Sequence, residues 1–395
     1  MKVDIEKNKI ILFIQHAGEI GGSVMSLLYT AQALQKTNQY TVIILCKHKE
    51  TCRFYMSQGI QSMYSSFIGF FSHNTVSGFY KLTFHDIYDI IIQTIFMPVY
   101  ILNQIKIIKK VDPDIIHLNA TVLISSGFAA FFCRKPIVWH IREPLSDGYF
   151  GIRRKIISYL IKRLSKKVIA ISPYDLSKLG KNKYNNMTVV YNFVDFEKFD
   201  SNKYIQNEEK MKLGFLSTSK LVVTLGGSSE VKGFKEIVLS QEYFTDKDDT
   251  YIVVVGAGKR TDIDHVVEAS NSRFIDKTKI VMLGRRNDIP NILAASDVLV
   301  FGGTVPHFPR PIFEAWAMRK PIIAFNVEGV NNNVNSGIDG MLVDIDSQKL
   351  GYAINRILSD RNLSKKLCTN GFQKAKILFD KDKNMKQILE IYESI

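Results

Sequence analysis

Glu314 is the lone carboxylate in the stretch HFPRPIFEAWAMRKPIIAF (307–325), where two prolines frame Arg310 and Lys320-Pro321 closes an apolar helical pattern before a strand. The pattern predicts Glu314 in the first turn of that helix. There a glutamate either complements the helix dipole or faces a cleft and accepts hydrogen bonds from a ligand's hydroxyls. Other residues able to do chemistry sit just after strand patterns. GEIGGS (18–23) carries Gly21 and Gly22 between a strand and a helix, where glycines let backbone amides approach an anion; a tight turn is the plain alternative. LGGSSEVKGF (225–234) sets Gly226, Gly227, Ser228 and Lys232 after a strand. Lys232 can meet a diphosphate with help from the loop amides, or it is a solvated turn lysine. His140 ends PIVWH and precedes Ile141, Arg142, Glu143 and Pro144, a proline-stiffened loop suited to a cleft. A satisfied structural histidine is its alternative, and His117, further inside the strand PDIIHLN, reads as structural.

Several chemistries are excluded by pattern. VVVGAGKRTD (253–262) has GxG after a strand, but Thr261 stands where a dinucleotide site needs its third glycine. The spacing of GEIGGS is neither a P-loop nor GxGxxG, and no Ser-His-Asp arrangement or HExxH stands out. Asp112/Asp114, Asp262/Asp264, Asp344/Asp346 and Asp380/Asp382 form DxD spacings, but none is flanked as a metal loop, so no catalytic metal is expected. Cys46, Cys52, Cys133 and Cys368 show no CxxC pair and read as scattered intracellular thiols.

The elements that must position these residues alternate strand and helix along the whole chain. Strand patterns run over 9–15, 41–47, 113–119, 136–141 and 167–172; TVVYNFVDFEKFD (188–200) leads into a loop. The alternation then restarts with strands over 221–227, 250–258, 279–285, 297–303 and 340–344. A length of 395 residues exceeds one ordinary core. The expected architecture is α/β: two doubly wound Rossmann-like domains, joined near 192–215 and facing across a cleft, with ligands at the carboxyl ends of the strands. Gly21, Gly22, His140, Gly226, Gly227, Gly256, Gly284, Arg310 and Glu314 share that placement, which weighs more than any single motif.

The formal net charge of +14 is unevenly distributed: 24 basic against 12 acidic side chains through Asp195, and 28 against 26 after it. A basic first half suits an anionic partner surface, and the absence of a recognised nucleic-acid module argues against nucleic acid. Residues 87–110 read IYDIIIQTIFMPVYILNQIKIIKK; the uncharged run Ile90–Gln104 is about 15 residues, short of the roughly 20 that span a bilayer. Either a helix in the membrane interface or a buried core helix fits. GIRRKIISYLIKRLSKK (151–167) is a basic amphipathic helix without an acid. The N-terminus lacks an apolar signal core, so no export is expected.

The order of these motifs resembles that of the retaining two-Rossmann-domain (GT-B) glycosyltransferases of family 4, over nearly the whole chain. GEIGGSVMSLLYTAQAL resembles their glycine loop and first helix, PDIIHLN and IVWH their histidine-bearing strands, and AISPYDLSKL with VVYNFVDFEKF the approach to the second domain. VKGF, MLGRRNDIPNILAASDVLV and RPIFEAWAMRKPIIA resemble the donor-side motifs, the last most specifically. NMKQILEIYESI resembles the final helix crossing back. The resemblance implies an acceptor domain over 1–193, a nucleotide-sugar domain over 194–372 and a returning helix over 373–395.

Carried residue by residue, it implies that Gly22 and His140 work at the reacting centre. Gly21, Gly227, Ser228, Lys232, Gly256, Gly284, Arg285, Arg310, Ile312, Phe313 and Glu314 would bind the donor, with Glu314 on the ribose, Lys232 on the diphosphate, and the amides of Ile312 and Phe313 towards phosphate. Arg142 and Glu143 would face the acceptor. Three positions depart from the family pattern: Gly227 replaces an arginine, Pro306 a sugar-gripping glutamate, and the segment near Asn332 lacks another glutamate. Arg310 or Arg285 is expected to supply the missing charge, and His307 to stand in beside Pro306. The implied activity is transfer of a sugar, with retention, from a nucleotide diphosphate sugar to a hydroxyl of a polyprenyl-diphosphate-linked or other glycan acceptor in surface-polysaccharide synthesis. No cofactor or metal is expected, and the location is the cytoplasmic membrane face. A non-catalytic sugar-nucleotide-binding partner and a nucleotide-sugar epimerase are the rival readings; the epimerase needs cleft carboxylates for proton transfer.

Overall fold

A computed structural model describes residues 8–69, 84–147, 149–180, 186–272 and 274–395. The chain forms two compact units, one of residues 1–192 with 382–395 and one of residues 193–381. Residues 373–381 therefore stay with the second unit, and the returning segment begins at Asp382.

The first unit is built on a parallel sheet ordered β3-β2-β1-β4-β5-β6-β7. Its strands are β1 (Lys9–Gln15), β2 (Tyr40–Cys46), β3 (Gln61–Tyr64), β4 (Ile115–Leu118), β5 (Ile137–Ile141), β6 (Lys167–Ala170) and β7 (Met187–Val189). Helices cover both faces, so β1 reads as an apolar run rather than an alternation, with Ile11, Leu12, Phe13 and Ile14 all fully buried. Strand order reverses at β1, which pairs with β2 on one side and β4 on the other. That is the switch point where doubly wound sheets take ligands. Helices α1 (Gly22–Lys36), α2 (Lys49–Ser57), α3 (Phe84–Val111), α4 (Ile124–Phe132), α5 (Ile152–Leu164) and α6 (Pro173–Ser177) make the crossovers.

Residues 84–111 form one 28-residue helix with Pro98 inside it. Gln104 and Ile108 near its end are fully buried, but Ile91, Ile95, Val99 and Leu102 are exposed by 41–63%. It is not the core helix that was one of the two expectations for this segment.

The second unit carries a parallel sheet ordered β10-β9-β8-β11-β12-β13. The strands are β8 (Lys220–Leu225), β9 (Thr250–Val255), β10 (Ile280–Gly284), β11 (Val298–Phe301), β12 (Ile322–Phe325) and β13 (Met341–Val343). Order reverses at β8, between β9 and β11. Around the sheet lie α7 (Gln206–Lys212), α8 (Phe234–Leu239), α9 (Arg260–Ser270), α10 (Ile289–Ala295), α11 (Arg310–Ala317), α12 (Ser347–Ser359) and α13 (Arg361–Leu378). Pro311 at the start of α11 has no N–H to leave unsatisfied, which suits a first turn. Because α11 starts at Arg310, Glu314 falls in its second turn, which corrects the first-turn expectation and removes the dipole role from it.

The last helix, α14 (Lys381–Glu393), carries Tyr392 into the first unit's core, with its ring 6.4 Å from Phe13 and 6.2 Å from Tyr40.

Candidate functional site

In the second unit, the loops after β8 and β9 touch backbone to backbone. Gly227, at φ +68°, has no room for a side chain: a Cβ there would lie 2.0 Å from the carbonyl oxygen of Ala257. At Gly256, φ +132°, a Cβ would lie 2.6 Å from the Gly227 nitrogen. The amides of Gly226 and Gly227 both donate to the Val255 carbonyl, and Gly256 donates to Gly284 at 2.8 Å. Three adjacent strand ends are thus stitched together, and Gly227, Gly256 and Gly284 come into one region as expected. Gly284, at φ +68°, faces open space, and Arg285 beside it is exposed.

Lys232 lies at the end of the β8 loop, its aliphatic chain against Gly226, where a Cβ would meet Lys232 Cγ at 2.9 Å. Its ammonium stands 3.2 Å from His307 Nε2, while His307 Nδ1 lies 2.7 Å from the Val305 carbonyl oxygen. A carbonyl only accepts, so Nδ1 carries the proton and Nε2 offers its lone pair to Lys232. Burial, reinforced by the Lys232 charge, depresses the His307 pKa to about 4. Burial also lowers that of Lys232.

Arg310 Nε donates to Glu314 Oε1 at 2.8 Å, an i,i+4 pair on α11. Glu314 is only 8% exposed. Burial raises its pKa, and the Arg310 guanidinium opposes that shift. Arg310 therefore does not stand clear as a replacement cation: it is partnered within its own helix.

Two donor-side expectations meet occupied groups. Ser228 donates its hydroxyl to Asp262 and its N–H to Ala257 O, bracing the loop to α9. The expectation for Ile312 is corrected: its N–H donates to Pro309 O at 2.9 Å, inside the helix's own first turn. The side chains of Ile312 and Phe313 are core, and Phe313 stacks on Phe379. Among the DxD residues, Asp112 pairs with Lys135, Asp264 with Lys277 and Asp344 with Lys349.

In the first unit, β4 and β5 carry a buried polar group. His140 is 1% exposed, and among the described residues neither ring nitrogen has a hydrogen-bond partner. Its ring meets that of His117 edge-on at 5.3 Å. Burial first, then Arg142 and His117, hold it well below 6.5, so it is a neutral ring rather than an acid. Arg142 donates from Nε to Asn119 at 2.9 Å and from one Nη to Asn192 at 2.8 Å; its other Nη has no partner among the described residues. Desolvation brings it down to about 10. Glu143 accepts from the Thr121 amide and hydroxyl at 3.2 and 2.8 Å, bracing the loop after β4. His117 is fully buried and meets the Tyr392 hydroxyl through Nδ1, the structural role expected of it. Gly21 and Gly22 are exposed at the start of α1, which has no side-chain cap and no acid in its first turn.

Asn119, Asn192 and Asp175 escaped sequence reasoning. Asparagines at strand ends are too common to signal a guanidinium partner. Asp175 reads as an ordinary helix-start acid, yet burial raises it to about 7, with the Ser172 hydroxyl donating to it.

Comparison with known proteins agrees with this layout. Residues 20–198 match the family described as Glycosyltransferase Family 4, and residues 205–374 match Glycosyl transferases group 1. A UDP-Gal:alpha-D-GlcNAc-diphosphoundecaprenol alpha-1,3-galactosyltransferase of Escherichia coli is 27% identical over 288 residues, 68% of this chain and 73% of that protein. The capsular polysaccharide biosynthesis glycosyltransferase CapM of Staphylococcus aureus is 22% identical, across 74% of this chain and 80% of its own. The UDP-bound crystal structure of Anabaena Alr3699/HepE superposes with a TM-score of 0.78 at 21% identity, over 98% of this chain and 100% of that one. The chain belongs to the GT-B glycosyltransferases, with a family 4 domain followed by a group 1 domain.

Proposed function

We propose that this glycosyltransferase moves a sugar from a nucleotide diphosphate sugar to a hydroxyl of a polyprenyl-diphosphate-linked glycan, retaining the anomeric configuration, in surface-polysaccharide synthesis at the cytoplasmic membrane face. The observation that carries this reading is the second unit's arrangement. A desolvated lysine is aimed by a neutral histidine beside a glycine-only backbone junction, and a nearly buried Glu314 lies on the next helix. Lys232 neutralises the departing diphosphate, an electrostatic role worth most where water is excluded. Glu314, paired with Arg310, accepts the ribose hydroxyls. Gly284 and Arg285 border the nucleotide, and the exposed, uncapped start of α1 at Gly22 is where the first unit offers backbone amides to a phosphate. His140, neutral and unpartnered, serves the transferring sugar, and Arg142 the acceptor.

The relatives support the substrate classes. The E. coli protein's name gives a UDP-sugar donor and a diphosphoundecaprenol acceptor, and that of a Campylobacter jejuni relative a diphospho-undecaprenol acceptor; both names give α-linked products. Basic residues of α5, among them Lys155, Arg163 and the neighbouring Lys166, draw the protein to anionic headgroups. No metal or cofactor takes part in this scheme. The test is proton NMR of the lipid-extracted product early in the reaction. Transfer of the sugar with its donor configuration supports the reading, and an inverted product refutes retention.

A further inference from the structure

Helix α3 exposes a long apolar stripe. Tyr88 (63%), Ile91 (50%), Ile95 (63%), Val99 (41%) and Leu102 (60%) follow one another at three- and four-residue steps, so they share one face. The stripe runs into Lys106, Lys109 and Lys110, all exposed. The acids Asp86 and Asp89 lie in the first two turns. A soluble helix normally turns such a stripe inward, because each large side chain withdrawn from water stabilises by roughly 1.5–3 kcal/mol.

Neighbouring helices continue the surface. α4 packs against both α3 and α5. It exposes Phe131 and Phe132, at 52% and 60%. At the start of α5, Phe150 is fully exposed and held at φ +58°, an unusual backbone position for an aromatic residue. Ile152, Ile156 and Tyr159 follow on the exposed side of α5, beside the exposed Lys155 and Arg163. Apolar side chains ringed by lysines and arginines are the composition of a surface that lies in a bilayer interface, with cationic heads reaching the phosphates.

Residues Ile91–Val111 are long and apolar enough to cross a membrane by length and composition. The structure argues against crossing. Gln104 is fully buried and its amide donates to Phe67 O at 3.3 Å and Ser125 Oγ at 3.5 Å, and Ile108 is sealed in the sheet's core. From Gln104 onward α3 is anchored in the folded unit, so it is the exposed face from Tyr88 to Leu102 that is available to lipid, lying along the surface.

We infer that the exposed face of α3 from Tyr88 to Leu102, with Phe131, Phe132 and Phe150, inserts into the headgroup region of an anionic bilayer. Membrane binding then has an apolar component that salt does not remove, beyond the electrostatic attraction of α5. The experiment is co-sedimentation of the full chain with phosphatidylcholine vesicles, with and without phosphatidylglycerol, at low and high salt. Wild type is expected to stay partly bound to anionic vesicles at high salt. Ile95→Glu/Leu102→Glu should weaken that salt-resistant binding by roughly 100-fold or more, following two buried side chains. Both positions are exposed, so circular dichroism should be unchanged. Ile95→Trp should be quenched by brominated lipid. Complete release of wild type by salt, an unaffected double variant, or an unquenched Trp overturns the inference. So does self-association abolished by the double variant without vesicle binding, which assigns the face to a second copy. Vesicle binding is read without sugar transfer, so failure of the transferase reading and failure of this one are distinguishable.

Discussion

Lys232 Nζ stands 3.2 Å from His307 Nε2, while the other nitrogen of that ring is tied to Val305 O. The ring can serve Lys232 as an acceptor only while it is neutral. Its pKa is depressed from 6.5 to about 4, so the folded state refuses a proton that the unfolded chain accepts. The sign follows: the contribution of His307 to stability is complete above pH 6.5 and is lost as pH falls towards about 4. Urea unfolding of wild type and His307→Gln from pH 8 to pH 4 should show wild type losing ground below about 6.5. Parallel curves would mean that the ring is not held neutral.

Gly227 stands where the family pattern has an arginine. Restoring a side chain is expected to harm rather than help, because the Cβ would sit 2.0 Å from a backbone oxygen at φ +68°. Gly227→Ala should destabilise by on the order of 2–4 kcal/mol, from overlap plus left-handed strain. Gly21→Ala, with nothing within 4 Å of its Cβ, should stay within about 0.5 kcal/mol of wild type. Equal stabilities in denaturant melts would refute the junction's tightness. Reduced turnover in a fully stable Gly21→Ala would locate the donor's approach at α1.

Arg310 and Glu314 form a pair in which the arginine offsets the burial that raises the glutamate's pKa. Removing the arginine leaves the charge of Lys198, a smaller influence, to oppose burial of the carboxyl. Arg310→Ala should therefore shift the acidic limb of the pH–kcat/KM profile to higher pH, and weaken donor binding by roughly 10-fold or more at neutral pH. Arg310→Lys should restore part of both. An unchanged limb with unchanged donor affinity would remove Arg310 from the site.

Asp175 offers a test of the first unit alone. Its pKa is raised to about 7 from 3.8 by burial, so its stabilising form is the protonated one. That contribution is complete below pH 3.8 and is lost as pH rises to about 7. Asp175→Asn cannot ionise, and relative to wild type it should gain on the order of 2–4 kcal/mol between pH 4 and pH 8. No relative gain in denaturant titrations would contradict burial of the charge.

The fold was largely legible because parallel strands buried on both faces read as apolar runs; KIILFIQ marks β1 to its last residue. β3 was not legible. QSMY carries two polar residues and pairs only with β2 at the sheet edge, so no hydrophobic period announces it. The strand ends named Lys232, Gly227, Gly256 and Glu314 correctly as residues of the β8, β9 and β11 side, because ligands of such sheets gather there. What those residues touch was not legible. The His307 ring reaches Lys232 across 75 residues, and the Tyr392 hydroxyl reaches His117 across 275. The glycine at 227 reads as a lost charge in one dimension and as a required close approach in three. Similarly, the apolar run in α3 has the composition of a core helix, and only the packing of Gln104 and Ile108 shows which part is buried.

The central claim is sugar transfer with Glu314 on the donor. Its most direct test presents a panel of labelled UDP-, GDP- and dTDP-sugars to the purified protein with native membrane lipids, beside Glu314→Ala. Transfer from one donor into the lipid fraction, falling at least about 100-fold in the variant, is the expected result. A nucleotide that binds without transfer from any donor, or transfer that survives in Glu314→Ala, would contradict it.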